Sequence, residues 1–92
     1  MTIVWSPVAM ADLDSVYDYI ALDSPGAAFR ITEKIEESIE RLRDFPEMGR
    51  PSRWPDTREL VIPGTHFIIL YMIKRRRIII LAVIHAARRW PE

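Results

Sequence analysis

Two apolar runs joined by a short basic turn constrain the fold of this chain most strongly. Residues 65–73 read THFIILYMI and residues 78–85 read IIILAVIH, with KRRR between them. Short runs that are rich in β-branched and aromatic residues predict strands rather than helices. Because only four residues separate the two runs, we expect them to pair as an antiparallel hairpin.

Two further segments are predicted to be strands of the same sheet. RELVI at residues 58–62 precedes the turn dipeptide Pro63-Gly64, so it should form an antiparallel meander with the hairpin. TIVWS at residues 2–6 is short, β-branched and aromatic, and we expect it to join the edge of the sheet.

The intervening residues carry the start signals of two helices. Ser6-Pro7 and Ser24-Pro25 each place a capping serine before a proline at the first helical position, and Pro46 ends the second helix near Phe45. The predicted buried stripes are Leu13, Val16, Tyr17 and Ile20 in the first helix, and Ala28, Ile31, Ile35, Ile39 and Leu42 in the second. Asp12, Asp14 and Asp18 are predicted to face solvent. We therefore predict a single α+β domain over residues 1–92, with an N-terminal strand and a helical hairpin packed on a small antiparallel sheet.

Both faces of the hairpin are apolar, whereas a sheet with one solvated face alternates apolar and polar residues. Alternation along a strand places its residues on two faces. In the first run the faces are Phe67, Ile69, Tyr71 and Ile73 on one side, and His66, Ile68, Leu70 and Met72 on the other. In the second run they are Ile78, Ile80, Ala82 and Ile84 on one side, and Ile79, Leu81, Val83 and His85 on the other. One helical hairpin covers one face. The other is covered either by sheet curvature and the long loop, or by a partner chain, which we favour because large apolar patches mark interaction sites.

Composition excludes several kinds of chemistry. The chain has no cysteine, which removes disulfides and thiol catalysis and fits a reducing cytoplasm. Two histidines and scattered glycines give no support for a metal or nucleotide site, so we expect no cofactor. We expect no signal peptide and no membrane span, because the longest apolar run has only seven residues.

Charge is neutral overall but divided between the halves. Residues 1–49 hold four basic and ten acidic side chains, and residues 50–92 hold nine and three. This asymmetry indicates either an interaction face on the second half or mutual neutralisation in the fold. Nucleic-acid binding through charge alone is not favoured in a neutral chain.

Metal-free ribonuclease chemistry is the one catalytic possibility that the residues leave open. It needs a base, an acid and cations for the phosphorane. Arg58, His66 and His85 could fill these roles, with Glu59, Arg88 and Arg89 as further candidates. Two histidines at the ends of paired strands are more often a packing or hydrogen-bonding pair, which is the interpretation we favour.

Six ordered segments resemble the ParE branch of the RelE/ParE toxin superfamily over nearly the whole chain. They read WSPVAMADLDSVYDYI, SPGAAFRITEKIEESIERL, FPEMGRP, TRELVIPG, FIILY and VIHAARRWP. The resemblance implies the same helical hairpin on a small sheet. It also implies a toxin of a type II toxin–antitoxin module, often plasmid-stabilising, that forms a hetero-oligomer with a ParD-like antitoxin.

The resemblance implies that the antitoxin covers the apolar second face of the sheet. The residues predicted to bind it are Ile68, Leu70, Met72, Ile79, Leu81 and Val83. ParE-like relatives are reported to poison DNA gyrase without a nuclease site. For target binding we predict Arg58, Arg88, Arg89 and Trp90, since arginine and tryptophan dominate binding hot spots.

RelE-like relatives instead cut mRNA on the ribosome. Many of them carry an arginine three residues before the strand tyrosine, where this chain has Ile68 before Tyr71. That difference argues against mRNA cleavage, although an endonuclease using Arg58, His66 and His85 stays the alternative. A third reading is a toxin that has lost its activity and is retained as the partner of its antitoxin.

Overall fold

A computed structural model describes residues 1–86, and the elements follow the predicted order. They are β1 (Thr2–Trp5), α1 (Pro7–Ala21), α2 (Pro25–Glu40), a 3₁₀ turn (Arg41–Arg43), β2 (Arg50–Pro51), β3 (Thr57–Val61), β4 (Phe67–Lys74) and β5 (Arg77–His85). This is the predicted α+β arrangement of a helical hairpin on a small sheet. The predicted interaction residues Arg88, Arg89 and Trp90 lie outside the described residues.

Both helices begin at the predicted caps. The Ser6 Oγ accepts a hydrogen bond from the Ala9 amide at 3.0 Å, and the Ser24 Oγ accepts one from the Ala27 amide at 3.1 Å. Each serine thereby satisfies one of the amides that have no partner inside the helix. Ser6 also donates to the Leu81 carbonyl at 3.2 Å, so the cap of α1 is fastened to β5.

The sheet is mixed rather than purely antiparallel. Its strand order is β1-β5-β4-β3-β2, with antiparallel pairs throughout except that β1 runs parallel to β5. β1 occupies an edge, as predicted. A parallel neighbour requires a long crossover, and the helical hairpin supplies it. The two-residue strand β2, inside a segment predicted to be loop, forms the other edge.

The core lies between the hairpin and one face of the sheet. Ile35, Ile39 and Leu42 from the helical side are fully buried, as the stripe of α2 predicted. They pack in one cluster with the sheet residues Leu60, Ile62, Ile69, Tyr71, Ile78, Ile80 and Val83. The stripe predicted for α1 is wrong at Tyr17, which is 39% exposed and therefore borders the core instead of filling it.

A bulge in β5 changes which side chains face the helices. The register passes from Leu70 opposite Ala82 to Tyr71 opposite Ile80, which leaves Leu81 as an extra residue. One extra residue reverses the alternation of every residue beyond it. Val83 therefore pairs with Ile69 on the helical face and is buried. The prediction that placed Val83 on the open face is wrong for this reason.

Candidate functional site

The two histidines lie side by side at one end of the sheet, as the hairpin predicted. Their rings stack with centroids 5.7 Å apart, and the His85 ring meets the edge of Phe67 at 5.1 Å. His66 is exposed, whereas His85 is half-buried beside α1. The pair is therefore packed against the end of the core, with one imidazole open to solvent.

Arg58 is engaged elsewhere, in holding a loop. Its Nη1 donates to the Gly49 carbonyl at 2.6 Å and to the Glu47 carbonyl at 3.4 Å. A guanidinium offers five N–H groups in a rigid fork, which suits it to fastening neighbouring carbonyls. These contacts give Arg58 a structural role that neither the nuclease prediction nor the target-binding prediction included.

The three residues of the predicted nuclease set do not form one site. Arg58 pairs in register with Tyr71, whereas His85 pairs with Phe67 four residues away on β4. Four residues of strand span about 13 Å, and β3 and β5 lie two strand spacings, about 10 Å, apart. A base and a phosphate-binding cation must reach the same few atoms, so this separation disfavours their acting together.

A buried tyrosine fixes the same loop that Arg58 holds. The Tyr71 hydroxyl donates to the Pro46 carbonyl at 2.7 Å and accepts from the Gly49 amide at 2.9 Å, in a side chain with no exposed surface. Burial raises the pKa of Tyr71, and the hydrogen bond from Gly49 acts in the opposite direction. The hydroxyl is therefore neutral at ordinary pH and serves as both donor and acceptor.

Gly49 has no side chain, and the close approach of Tyr71 leaves no space for one. A Cβ at this position would lie 2.7 Å from the Tyr71 ring and hydroxyl and 2.8 Å from the Glu59 carbonyl. We name Phe45–Met48, in which every residue but the half-buried Pro46 is exposed, the FPEM turn. The sequence signal was PEMGRPSRWPDT at residues 46–57, whose three prolines and one glycine predict a loop of about a dozen residues, long enough to suggest a role.

The open face of the sheet carries four of the six residues predicted to bind the antitoxin, and a fifth lies in the bulge of β5. Register places Ile68, Leu70 and Met72 of β4 on the face away from the core, beside Ile79 of β5. Leu81 lies in the bulge next to them, and all five side chains are half-buried. The sixth, Val83, is on the helical face. Antitoxin binding by the remaining five stays a prediction.

Helix α1 borders a separate groove at the histidine end. A cavity of about 330 Å³ lies between the helix and the sheet and is lined by Asp12, Ser15, Val16, Tyr19, Phe67, Val83 and His85. The prediction that Asp12 faces solvent is wrong, because its carboxylate accepts the Val83 amide at 3.0 Å. β1 pairs with β5 only as far as Ile80, so on the side of β5 away from β4 the neighbour of Val83 is α1 rather than a strand.

Within residues 1–86, no group of three or more histidines and carboxylates is placed to hold a metal ion. No helix in this part of the chain is long and apolar enough to cross a membrane. What the described residues offer instead is apolar surface: the open sheet face, the groove beside α1 and the FPEM turn. Surfaces of this kind point to contact with another protein.

The described residues therefore form a small α+β domain, with a strand, a helical hairpin and a small mixed sheet that leaves several apolar surfaces uncovered. A solved chain from the chromosomal ParDE TA system of P. aeruginosa has this fold, with a TM-score of 0.85 and 32% identity over 92% of this chain and 95% of that one. Residues 3–90 match the family described as the ParE toxin of the type II toxin–antitoxin system parDE. The chain belongs to the ParE toxin family.

Two sequence relatives, one named a putative toxin and one a toxin, are similar over nearly the whole chain. The Y4kP protein of Sinorhizobium fredii is 40% identical over 88 residues, which cover 96% of this chain and 91% of the relative. Toxin RelE2 of Caulobacter vibrioides is 35% identical over 86 residues, which cover 94% and 96% respectively. The resemblance found in the ordered sequence motifs is thereby confirmed.

Proposed function

We propose that this ParE-family toxin acts by protein–protein contact, with DNA gyrase as its target, and that a ParD-like antitoxin neutralises it. Gyrase works on chromosomal and plasmid DNA, so this activity places the toxin in the cytoplasm and suits plasmid stabilisation. The observation that carries the proposal is the dispersal of the nuclease candidates. Arg58 holds the FPEM turn, and the histidines stack at the other end of the sheet.

The antitoxin part of the proposal rests on the uncovered apolar surfaces together with family membership. The described ParDE structure is that of a toxin–antitoxin system. The half-buried residues of the open sheet face are the ones we expect the antitoxin to cover, giving a hetero-oligomer. Removing apolar surface from water contributes about 25 cal/mol per Å² and favours such a complex, although only the surplus over the cost of association appears as affinity.

A supercoiling assay tests the proposed target. Purified toxin is added to gyrase and relaxed plasmid, and we expect supercoiling to be lost at saturating toxin. His85→Ala should inhibit as well as the unchanged protein, provided circular dichroism shows that it is folded. A folded toxin that leaves supercoiling intact at saturation would remove gyrase as the target.

The alternative is a ribosome-dependent mRNA endonuclease, favoured by the stacked histidine pair and by the relative named toxin RelE2. In vitro translation followed by primer extension distinguishes the two functions. We expect no new cleavage sites on translated mRNA. Cleavage that disappears in His85→Ala and persists in a matched surface variant, Tyr17→Phe, would establish the endonuclease instead.

A further inference from the structure

The FPEM turn displays apolar side chains that the fold itself does not use. Phe45 is 61% exposed and Met48 38%, although each lies within a few residues of buried core positions. A hollow of about 630 Å³ is lined by Phe45, Pro46, Met48 and the chains of Arg41 and Glu47. Large apolar side chains grouped around a hollow are what a binding anchor of a partner requires.

The turn is held from beneath by the buried contacts described above. Tyr71 bonds both ends of the segment, at the Pro46 carbonyl and the Gly49 amide, and Arg58 bonds the carbonyls of Glu47 and Gly49. A surface fixed before binding loses less conformational entropy when a partner docks. The polar network therefore presents Phe45 and Met48 in a preorganised position.

The apolar surface continues from the turn to the open face of the sheet. A second hollow, of about 330 Å³, shares Arg41 and Met48 with the first and is also lined by Ser38, Arg50, Glu59, Leu60, Val61 and Pro63. Val61 is 48% exposed and pairs in register with Ile68 on the open face. β2 pairs only with Arg58 and Glu59, so Val61 lies past the end of its neighbouring strand.

Charge selects the kind of segment that fits. Arg50 is paired with Glu59 at 3.2 Å, and Arg43 with Glu40 at 2.7 Å. Arg41, which lines both hollows, has no ion pair with a carboxylate of residues 1–86. Glu47 lies in the same hollow and would repel a long acidic run, so the site suits an apolar segment with one carboxylate near Arg41.

We propose that the FPEM turn, Val61 and Arg41 form a docking surface for an extended segment of the antitoxin, whose apolar side chain fills the hollow and whose carboxylate pairs with Arg41. The proposal rests on the antitoxin partnership proposed above. Continuity with the open sheet face selects the antitoxin as the occupant, because one extended chain can cover Ile68, cross Val61 and reach Met48.

The test uses the full-length toxin and the antitoxin encoded beside it, with calorimetry as the readout. Phe45→Ser combined with Met48→Ser should raise the Kd about thirtyfold or more, which is the effect of losing a hot spot. Phe29→Ser is the matched control, because Phe29 is 59% exposed on α2, away from both hollows. It should change the Kd by less than about threefold, as expected for an energetically neutral contact.

Two further variants examine the network and the charge. Tyr71→Phe leaves every surface side chain in place and should weaken binding about fivefold by loosening the turn, the effect of roughly 1 kcal/mol. Arg41→Glu should raise the Kd about tenfold at low salt and less at 1 M salt, where the screening length falls to about 3 Å. Circular dichroism confirms that each variant is folded before binding is measured.

The outcomes separate this inference from the proposed function. If the unchanged toxin does not bind the antitoxin, the partnership itself is wrong. If it binds but the Phe45/Met48 variant binds equally well, the docking surface is wrong and the partnership stands. If that variant keeps its antitoxin affinity yet no longer inhibits gyrase, the turn belongs to the target, which also overturns the proposal.

Discussion

Replacing Tyr71 by phenylalanine removes one hydroxyl and two hydrogen bonds from the base of the FPEM turn. The Pro46 carbonyl can be rehydrated, because Pro46 is half-buried, but the Gly49 amide is buried. A hydrogen bond contributes about 1 kcal/mol net, and a buried unsatisfied donor costs about 1–3 kcal/mol. We therefore expect Tyr71→Phe to lower the free energy of unfolding by roughly 2–3 kcal/mol, more than a typical Tyr→Phe change at a surface.

Urea denaturation followed by circular dichroism measures this difference. With a slope of about 1–3 kcal/mol per molar, the midpoint should fall by roughly 0.7–3 M. Tyr17→Phe is the control, since the Tyr17 hydroxyl makes no hydrogen bond within residues 1–86 and the side chain is 39% exposed. A loss below about 0.5 kcal/mol for Tyr71→Phe, comparable with a neutral surface change, would refute the view that the hydroxyl holds the turn.

Three other predictions concern the fold. Gly49→Ala should destabilise by about 3 kcal/mol, because its Cβ overlaps Tyr71, and thermal unfolding should show the loss. By denaturant titration, Ser6→Ala should lower the free energy of unfolding by about 2 kcal/mol and Ser24→Ala by about 1 kcal/mol. The difference is expected because only Ser6 also bonds the Leu81 carbonyl, and equal losses would contradict it. Burial raises the pKa of Tyr71, so as pH rises the tyrosine hydroxyl ionises in the unfolded chain before it does in the folded one. The free energy of unfolding should therefore fall as pH rises above about 10, and it should fall less in Tyr71→Phe.

The helices could be predicted because their signals are local. Ser6-Pro7 and Ser24-Pro25 fix the starts through hydrogen bonds that span three residues, and the 3.6-residue period identifies the buried stripe of α2. The period was less informative in α1. Tyr17 belongs to the apolar pattern but stands at its margin, where the neighbouring helix does not cover it.

The strand faces could be predicted only as far as the bulge. β4 keeps its alternation, so Ile69 and Tyr71 are buried as expected, whereas β5 changes sides at Leu81. Nothing in IIILAVIH marks the extra residue, because every candidate side chain is apolar. The bulge is set by partners far along the chain, including the Ser6 hydroxyl that bonds the Leu81 carbonyl.

The role of Arg58 was beyond prediction for a similar reason. A cation on a strand suggests a phosphate or a partner carboxylate, and no sequence pattern links Arg58 to the carbonyls of Glu47 and Gly49. Family resemblance drew attention to FPEMGRP as a motif without giving a physical reason for it. The structure supplies one, since Gly49 must leave space for Tyr71.

The parallel pairing of β1 with β5 has a consequence for synthesis. Thr2–Trp5 finds its partners at Arg77–Ile80, so β1 cannot pair until β5 has been synthesised. Chains emerge at about 5–20 residues per second, and the helical hairpin is available seconds before its sheet can close. A fragment that stops before Arg77 lacks β5, the strand that joins β1 to β4. The five-stranded sheet therefore cannot assemble until Arg77–His85 has been synthesised, whatever has folded before it.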